Sequence, residues 1–113
     1  MTNDKVFSMP FSKVYACLVA KAERKGRTKG EVDTIIAWLT GWDVSNVPAD
    51  MPYGDFFRQA PAPNPARAAI RGSICGIRVE EIQNATMQEI RYLDKLVDEL
   101  AKGKTMDKIL RKL

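Results

Sequence analysis

Arg67, Arg71 and Arg78 crowd one stretch of this chain, together with Asn64 and Cys75. Arg67 and Arg71 are four apart, which on a helix places both guanidinium groups on one face, where they could clamp a carboxylate or a phosphate. With Asn64 at the start of that helix, these residues define a candidate small-anion or metabolite site, catalytic or not. The competing reading has the arginines solvating the helix face or pairing with Glu80 and Glu81. Cys75 would stand near the C-terminal end of the same helix. The dipole there disfavours a thiolate, so nucleophilic activation is not expected.

Other chemistry is constrained by what the chain lacks. It has no histidine, which removes the usual general base near neutral pH, the Ser-His and Cys-His nucleophile pairs, and the commonest metal ligand. Catalysis would fall to carboxylates, Lys, Tyr or an activated Cys, which weakens the case for an enzyme. Cys17 and Cys75 are too few for a disulfide scaffold or a four-cysteine zinc site. Both lie among apolar neighbours, which predicts reduced, buried thiols. Asp94 and Asp98 are four apart and could hold a cation, but Arg91 and Lys95 beside them favour a salt-bridged solvent face. No metal site and no cofactor are therefore expected. Gly103-Lys104-Thr105 ends like a phosphate-binding loop. The glycine such a loop needs earlier falls on Asp98, and a helix rather than a strand precedes it.

A second candidate surface is aromatic. Trp38, Trp42, Tyr53 and Phe56 fall outside the clean apolar stripes described below, and could together face a protein partner or a second copy of the chain. For the two tryptophans, packing at the edge of the core is the competing reading.

These residues must be positioned by helices. Phe11, Val14, Tyr15, Leu18, Val19 and Ala22 recur at the spacing of one buried helical stripe that begins around Pro10 and stops at Gly26. Thr28, with Glu31 three residues on, makes a capping box for a second helix. Its stripe is Val32, Ile35, Ile36 and Leu39, and Gly41 ends it. Residues 42–52 read as a loop, and Tyr53 to Ala60 as a short helical segment closed by Pro61, Pro63 and Pro65. Asn64-Pro65 starts a further helix through Ala66, Ala69, Ile70, Ser73 and Ile74, with Gly76 as its stop. Gly72 within it would let a neighbouring backbone approach closely. Ile77 to Ile82 could be a brief strand but lacks a visible partner, so it reads as an extended link plus one turn. Asn84 caps the longest helix, with Ile90, Leu93, Val97 and Leu100 on its seam and Met87 and Leu96 widening it. Core packing explains that seam better than a coiled-coil dimer. Gly103 stops this helix. Thr105 then starts a last one bearing Met106, Ile109, Leu110 and Leu113.

The junctions Lys25-Gly26-Arg27-Thr28 and Lys102-Gly103-Lys104-Thr105 thus repeat one punctuation, a glycine stop followed by a threonine start. The fold expected is all-α: a single domain, a compact bundle of five or six helices with helical hairpins at residues 10–41 and 84–113. The proportions suit a globular protein, with 45% hydrophobic and 28% charged residues among 113. The longest wholly apolar run, Tyr15 to Ala20, is far short of the roughly 20 residues that span a bilayer. The opening residues lack the apolar core of a signal peptide. A cytoplasmic protein without membrane contact is expected. The net charge of +4 divides as +3 over residues 1–41, −2 over 42–60, +1 over 61–84 and +2 over 85–113. No segment is a strong basic block, and Glu31 and Asp33 occupy the start of the would-be reading helix of a helix-turn-helix. Nucleic-acid binding is accordingly the least favoured partner reading.

Three stretches, VAKAERKGRTKGEVDTIIAWLTGW, NPARAAIRGSICGIRVEEI and MQEIRYLDKLVDELAKGKTMDKILRK, together resemble the small bacterial family catalogued as domain of unknown function 2200. The likeness covers nearly the whole chain apart from the first residues and the 43–55 loop. That family consists of short bacterial proteins without an established activity, so the resemblance carries no catalytic or binding residues over. The chain departs from the family pattern in having no histidine in its first helix, and in Ala85 where proline would follow the cap of the long helix. The leading functional reading is a non-enzymatic protein-interaction or self-association module. The arginine site is the alternative, and nucleic-acid binding the second alternative.

Overall fold

The computed structural model describes residues 3–74 and 76–111. Leu113 and Cys75, assigned above to the last stripe and to the arginine segment, lie outside the described residues. Six α-helices are present among them: α1 (Asn3–Phe7), α2 (Phe11–Glu23), α3 (Lys29–Thr40), α4 (Tyr53–Arg58), α5 (Ala85–Ala101) and α6 (Met106–Ile109). Three short 3-10 turns and one two-stranded antiparallel sheet, β1 (Ser73–Ile74) with β2 (Ile77–Arg78), are the other elements among the described residues.

The core is organised around α5, which packs against α2, α3, α4, α6 and β1. The reason is its sequence: Ile90, Leu93, Leu96, Val97 and Leu100 form a wide apolar stripe, and all are buried. Each such side chain contributes about 1.5–3 kcal/mol when withdrawn from water. Opposite it lie Leu18 and Ala22 of α2, and Val32, Ile35, Ile36 and Leu39 of α3. At the other end of α2, Phe11 stacks on Phe56 of α4 with ring centroids 4.5 Å apart. The α2–α3 hairpin forms as expected, with Thr28 and Glu31 completing the capping box and Gly26 at positive φ.

Four features depart from the sequence reading. The first is α1, where no element was expected; Phe7 packs against the core and α1 lies on α4. The second is residues 64–78, which are not a helix. Asn64 does cap a turn, its side chain accepting from the Ala66 N–H at 2.9 Å, but the turn is 3-10 and ends at Ala69. Gly72 then takes a φ of +113°, where a Cβ would meet the Lys95 side chain rather than a backbone. The chain leaves helical geometry there and folds into the β1–β2 hairpin, so the strand at Ile77 has its partner in Ser73–Ile74. Third, Thr105 precedes α6 without any side-chain capping bond, so the two junctions match in sequence but not in function. Fourth, Cys17 lies on the exposed face of α2 and is not buried.

Candidate functional site

The arginine segment comes first. Arg67 donates from Nε to Glu89 Oε1 at 2.7 Å and from Nη1 to the Asn64 carbonyl at 2.8 Å. It lines a small depression of about 190 Å³ together with Arg58, Thr86 and Glu89. Arg71 and Arg78 do not line it. Arg78 points elsewhere, with Nε 2.8 Å from Glu80 and 3.4 Å from Glu81, while Arg71 is exposed. The loss of the helix explains the separation, since Arg67 is in the 3-10 turn and Arg71 beyond it. Asn64 is occupied as a cap. Glu80 also accepts from the Gly72 N–H at 3.0 Å. That amide, ahead of Arg78, holds its carboxyl below the usual range. Glu80 clasps the hairpin, and Glu89 ties the Arg67 turn to α5.

The four aromatic candidates are also separated. Tyr53 and Phe56 are core residues, 2% and 0% exposed, so neither can face a partner. Burial pushes the Tyr53 hydroxyl well above its ordinary pKa, and neither it nor Arg91 Nε has a hydrogen-bond partner among the described residues. Trp42 packs on the core edge, its Nε1–H donating to the Phe56 carbonyl at 2.8 Å. Trp38 opens onto a surface depression of about 680 Å³ shared with Met106, Asp107 and Leu110, and Trp42 borders a separate one of about 500 Å³ with Lys29, Asp33 and Val44.

Sequence reasoning missed a polar tie between α2 and α3. The Tyr15 O–H donates to Asp33 Oδ1, and Lys29 Nζ sits 3.1 Å from Asp33 Oδ2 and 5.6 Å from the Tyr15 ring centroid. Burial first, then the hydrogen bond to Asp33, raises the Tyr15 pKa, which favours the neutral phenol that donates to Asp33. The i, i+4 spacing of Lys29 and Asp33 was the available signal; Tyr15 is too distant in sequence to have been linked to them.

A cluster of charged groups lies where the two repeated junctions meet. Arg27 Nη1 donates to the carbonyls of Leu100 at 3.1 Å and Lys104 at 2.9 Å, while its Nε and Nη2 grip Glu31. One side chain thereby caps the end of α5 and fastens the two hairpins together. Around it, Asp98 takes Lys21 at 3.2 Å and Lys102 at 3.0 Å. Burial opposes the ionised form of Asp98, but these cations outweigh it and hold the carboxyl below its usual range. Glu99, 6% exposed, receives Arg111 in a two-pronged pair at 2.8 and 2.7 Å, with Lys104 at 3.5 Å.

Two open depressions flank this knot. The one of about 520 Å³ is lined by Lys21, Arg24, Lys25, Asp98, Ala101 and Lys102. The other, about 420 Å³, lies between Lys95, Glu99, Lys102, Lys104 and Lys108. Lys102 borders both. Among the described residues, Arg24, Lys25 and Lys108 pair with no carboxylate. The sequence showed each half of this surface, as +3 and +2 regional charges, but not that the fold joins them.

No helix is long and apolar enough to cross a membrane among the described residues. Among the same residues, no three Cys, Asp or Glu side chains gather as metal ligands would.

No curated protein matches the chain. Among solved structures, the crystal structure of uncharacterized protein SP1917 is similar at 54% sequence identity and a TM-score of 0.89, over 97% of this chain and 93% of that one. The bacterial family resemblance carried by the three quoted stretches is matched directly over residues 5–111. The chain belongs to the family described as uncharacterized protein conserved in bacteria, DUF2200.

Proposed function

We propose that this chain is a non-enzymatic interaction module whose recognition surface is the basic end built from its two hairpin junctions, and that it takes an acidic macromolecule. The observation that carries this reading is the convergence of two lysine-rich depressions on Lys102, with Arg24, Lys25 and Lys108 left without carboxylate partners among the described residues. A one-sign cluster of this kind raises the local concentration of an oppositely charged partner and speeds its encounter. The arginine segment supports the alternative less well, because Arg67 and Arg78 are engaged by carboxylates and Arg71 is not brought beside them.

Retention on immobilised heparin tests the reading. The wild-type protein is expected to elute at higher salt than Lys25→Glu/Lys108→Glu. A control carrying the same charge change elsewhere, Lys5→Glu/Lys13→Glu, is expected to elute near the wild type. Equal retention of the two variants would mean that net charge, not this surface, governs binding, and the proposal would fail.

A further inference from the structure

The chemistry of the basic end narrows its partner, given that the reading above holds. Seven basic side chains line the two depressions, Arg24 and six lysines, against the two carboxylates Asp98 and Glu99. Lysine ammonium groups are compact point charges on flexible stems. They can neutralise the repeated, geometrically tolerant phosphates of a nucleic-acid backbone as point charges, without the planar two-pronged geometry that arginine brings to carboxylates and phosphates alike. Of the guanidinium forks near this surface, Arg111 is filled by Glu99 and Arg27 by Glu31 from the same chain, which leaves Arg24 beside the lysines.

A second observation points the same way. Neither depression is lined by an apolar side chain larger than Ala101. Protein partners are held mainly by buried aromatic and apolar anchors, with charged rims adding little. A surface offering charge without an anchor matches backbone binding to nucleic acid, where counterion release supplies the affinity. The two depressions also share Lys102 as a border, an arrangement that suits a linear polyanion lying across both better than a single small anion.

We infer that the basic end binds the phosphate backbone of nucleic acid without reading base sequence. The residues engaged are Arg24 and Lys25 on the α2 side and Lys108 on α6, which pair with no carboxylate among the described residues; Lys21, Lys102 and Lys104, which pair with Asp98 or Glu99, border the same surface.

Fluorescence anisotropy with labelled mixed-sequence DNA duplex, labelled RNA and labelled poly-glutamate separates the outcomes. Nucleic acid is expected to bind at low salt, with log affinity falling against log salt at a slope of roughly −3, as for a few neutralised phosphates. Lys25→Glu/Lys108→Glu should weaken binding about tenfold or more, and Lys5→Glu/Lys13→Glu less than about threefold. All four positions are exposed, and an unchanged thermal unfolding midpoint confirms that each variant is folded. Poly-glutamate binding as tightly as nucleic acid, and weakened by the same face variant, would overturn the nucleic-acid assignment while leaving the interaction surface in place. Failure of every probe to bind would remove both.

Discussion

Arg27 shows how much a single side chain can do that its neighbours in sequence do not reveal. Its place between Gly26 and Thr28 marks it as a linker, yet its carbonyl partners are 73 and 77 residues away. The capping box beside it is different, being written in the local spacing of Thr28 and Glu31. Replacing Thr28 by Ala should cost about 1 kcal/mol in chemical denaturation, since an orphan N–H at the start of α3 loses its acceptor. Thr105→Ala should cost far less, because the Thr105 side chain makes no capping bond. Glu31 adds a pH dependence. Arg27 first, then the Thr28 amide, lower its carboxyl from 4.5 to about 2. A depressed acid stabilises the fold above its unfolded pKa, and that stabilisation is lost as pH falls through the folded one. Glu31→Gln keeps the cap but not the charge. The stability gap between wild type and this variant should therefore be full above about pH 4.5 and close towards pH 2. A gap that does not change with pH would show that the Arg27–Glu31 pair contributes nothing.

Among the elements, what was legible and what was not divides along a physical line. The stripes of α2, α3 and α5 are long enough for their period to be unambiguous, and their glycine stops and proline, threonine and asparagine starts were readable. Residues 64–78 mimic that period with Ala66, Ala69, Ile70 and Ile74, three of which are indeed buried. Periodicity reports which residues face inward, not which backbone carries them. A 3-10 turn followed by a hairpin buries the same positions. The arginine site failed to assemble for that reason, and the aromatic surface failed because Tyr53 and Phe56 were needed in the core. The proline-rich stretch also has a role that its composition hid. The Ala62 and Asn64 N–H groups donate to the Thr40 and Leu39 carbonyls, satisfying the orphan end of α3. That close approach makes Gly41, at φ +79°, intolerant: an added Cβ would lie 2.7 Å from Ala62 Cβ and 2.8 Å from its nitrogen. Gly103 has a similar φ but nothing within 4 Å. Gly103→Ala should cost about 1–2 kcal/mol for the left-handed backbone alone. Gly41→Ala should cost about 1–3 kcal/mol more, from overlap that the packed chain cannot relieve. Equal losses by urea denaturation would contradict this account of the α3 terminus.

For the whole molecule, the charge distribution in space differs from that along the chain. Regional sums of +3 and +2 stand at opposite ends of the sequence. Packing of α2 against α5 and the Arg27 clasp bring their lysines to one end of the fold. A modest net charge thereby becomes a concentrated one, which is the property that the proposed function needs. The most direct test maps the contact itself. In a ¹⁵N–¹H NMR titration with mixed-sequence duplex DNA at low salt, the perturbed amides should cluster at residues 21–27, 95 and 102–108. Perturbations centred instead on residues 42–60 or on the 64–78 segment, or none at saturating DNA, would contradict the assignment of the basic end as the binding surface.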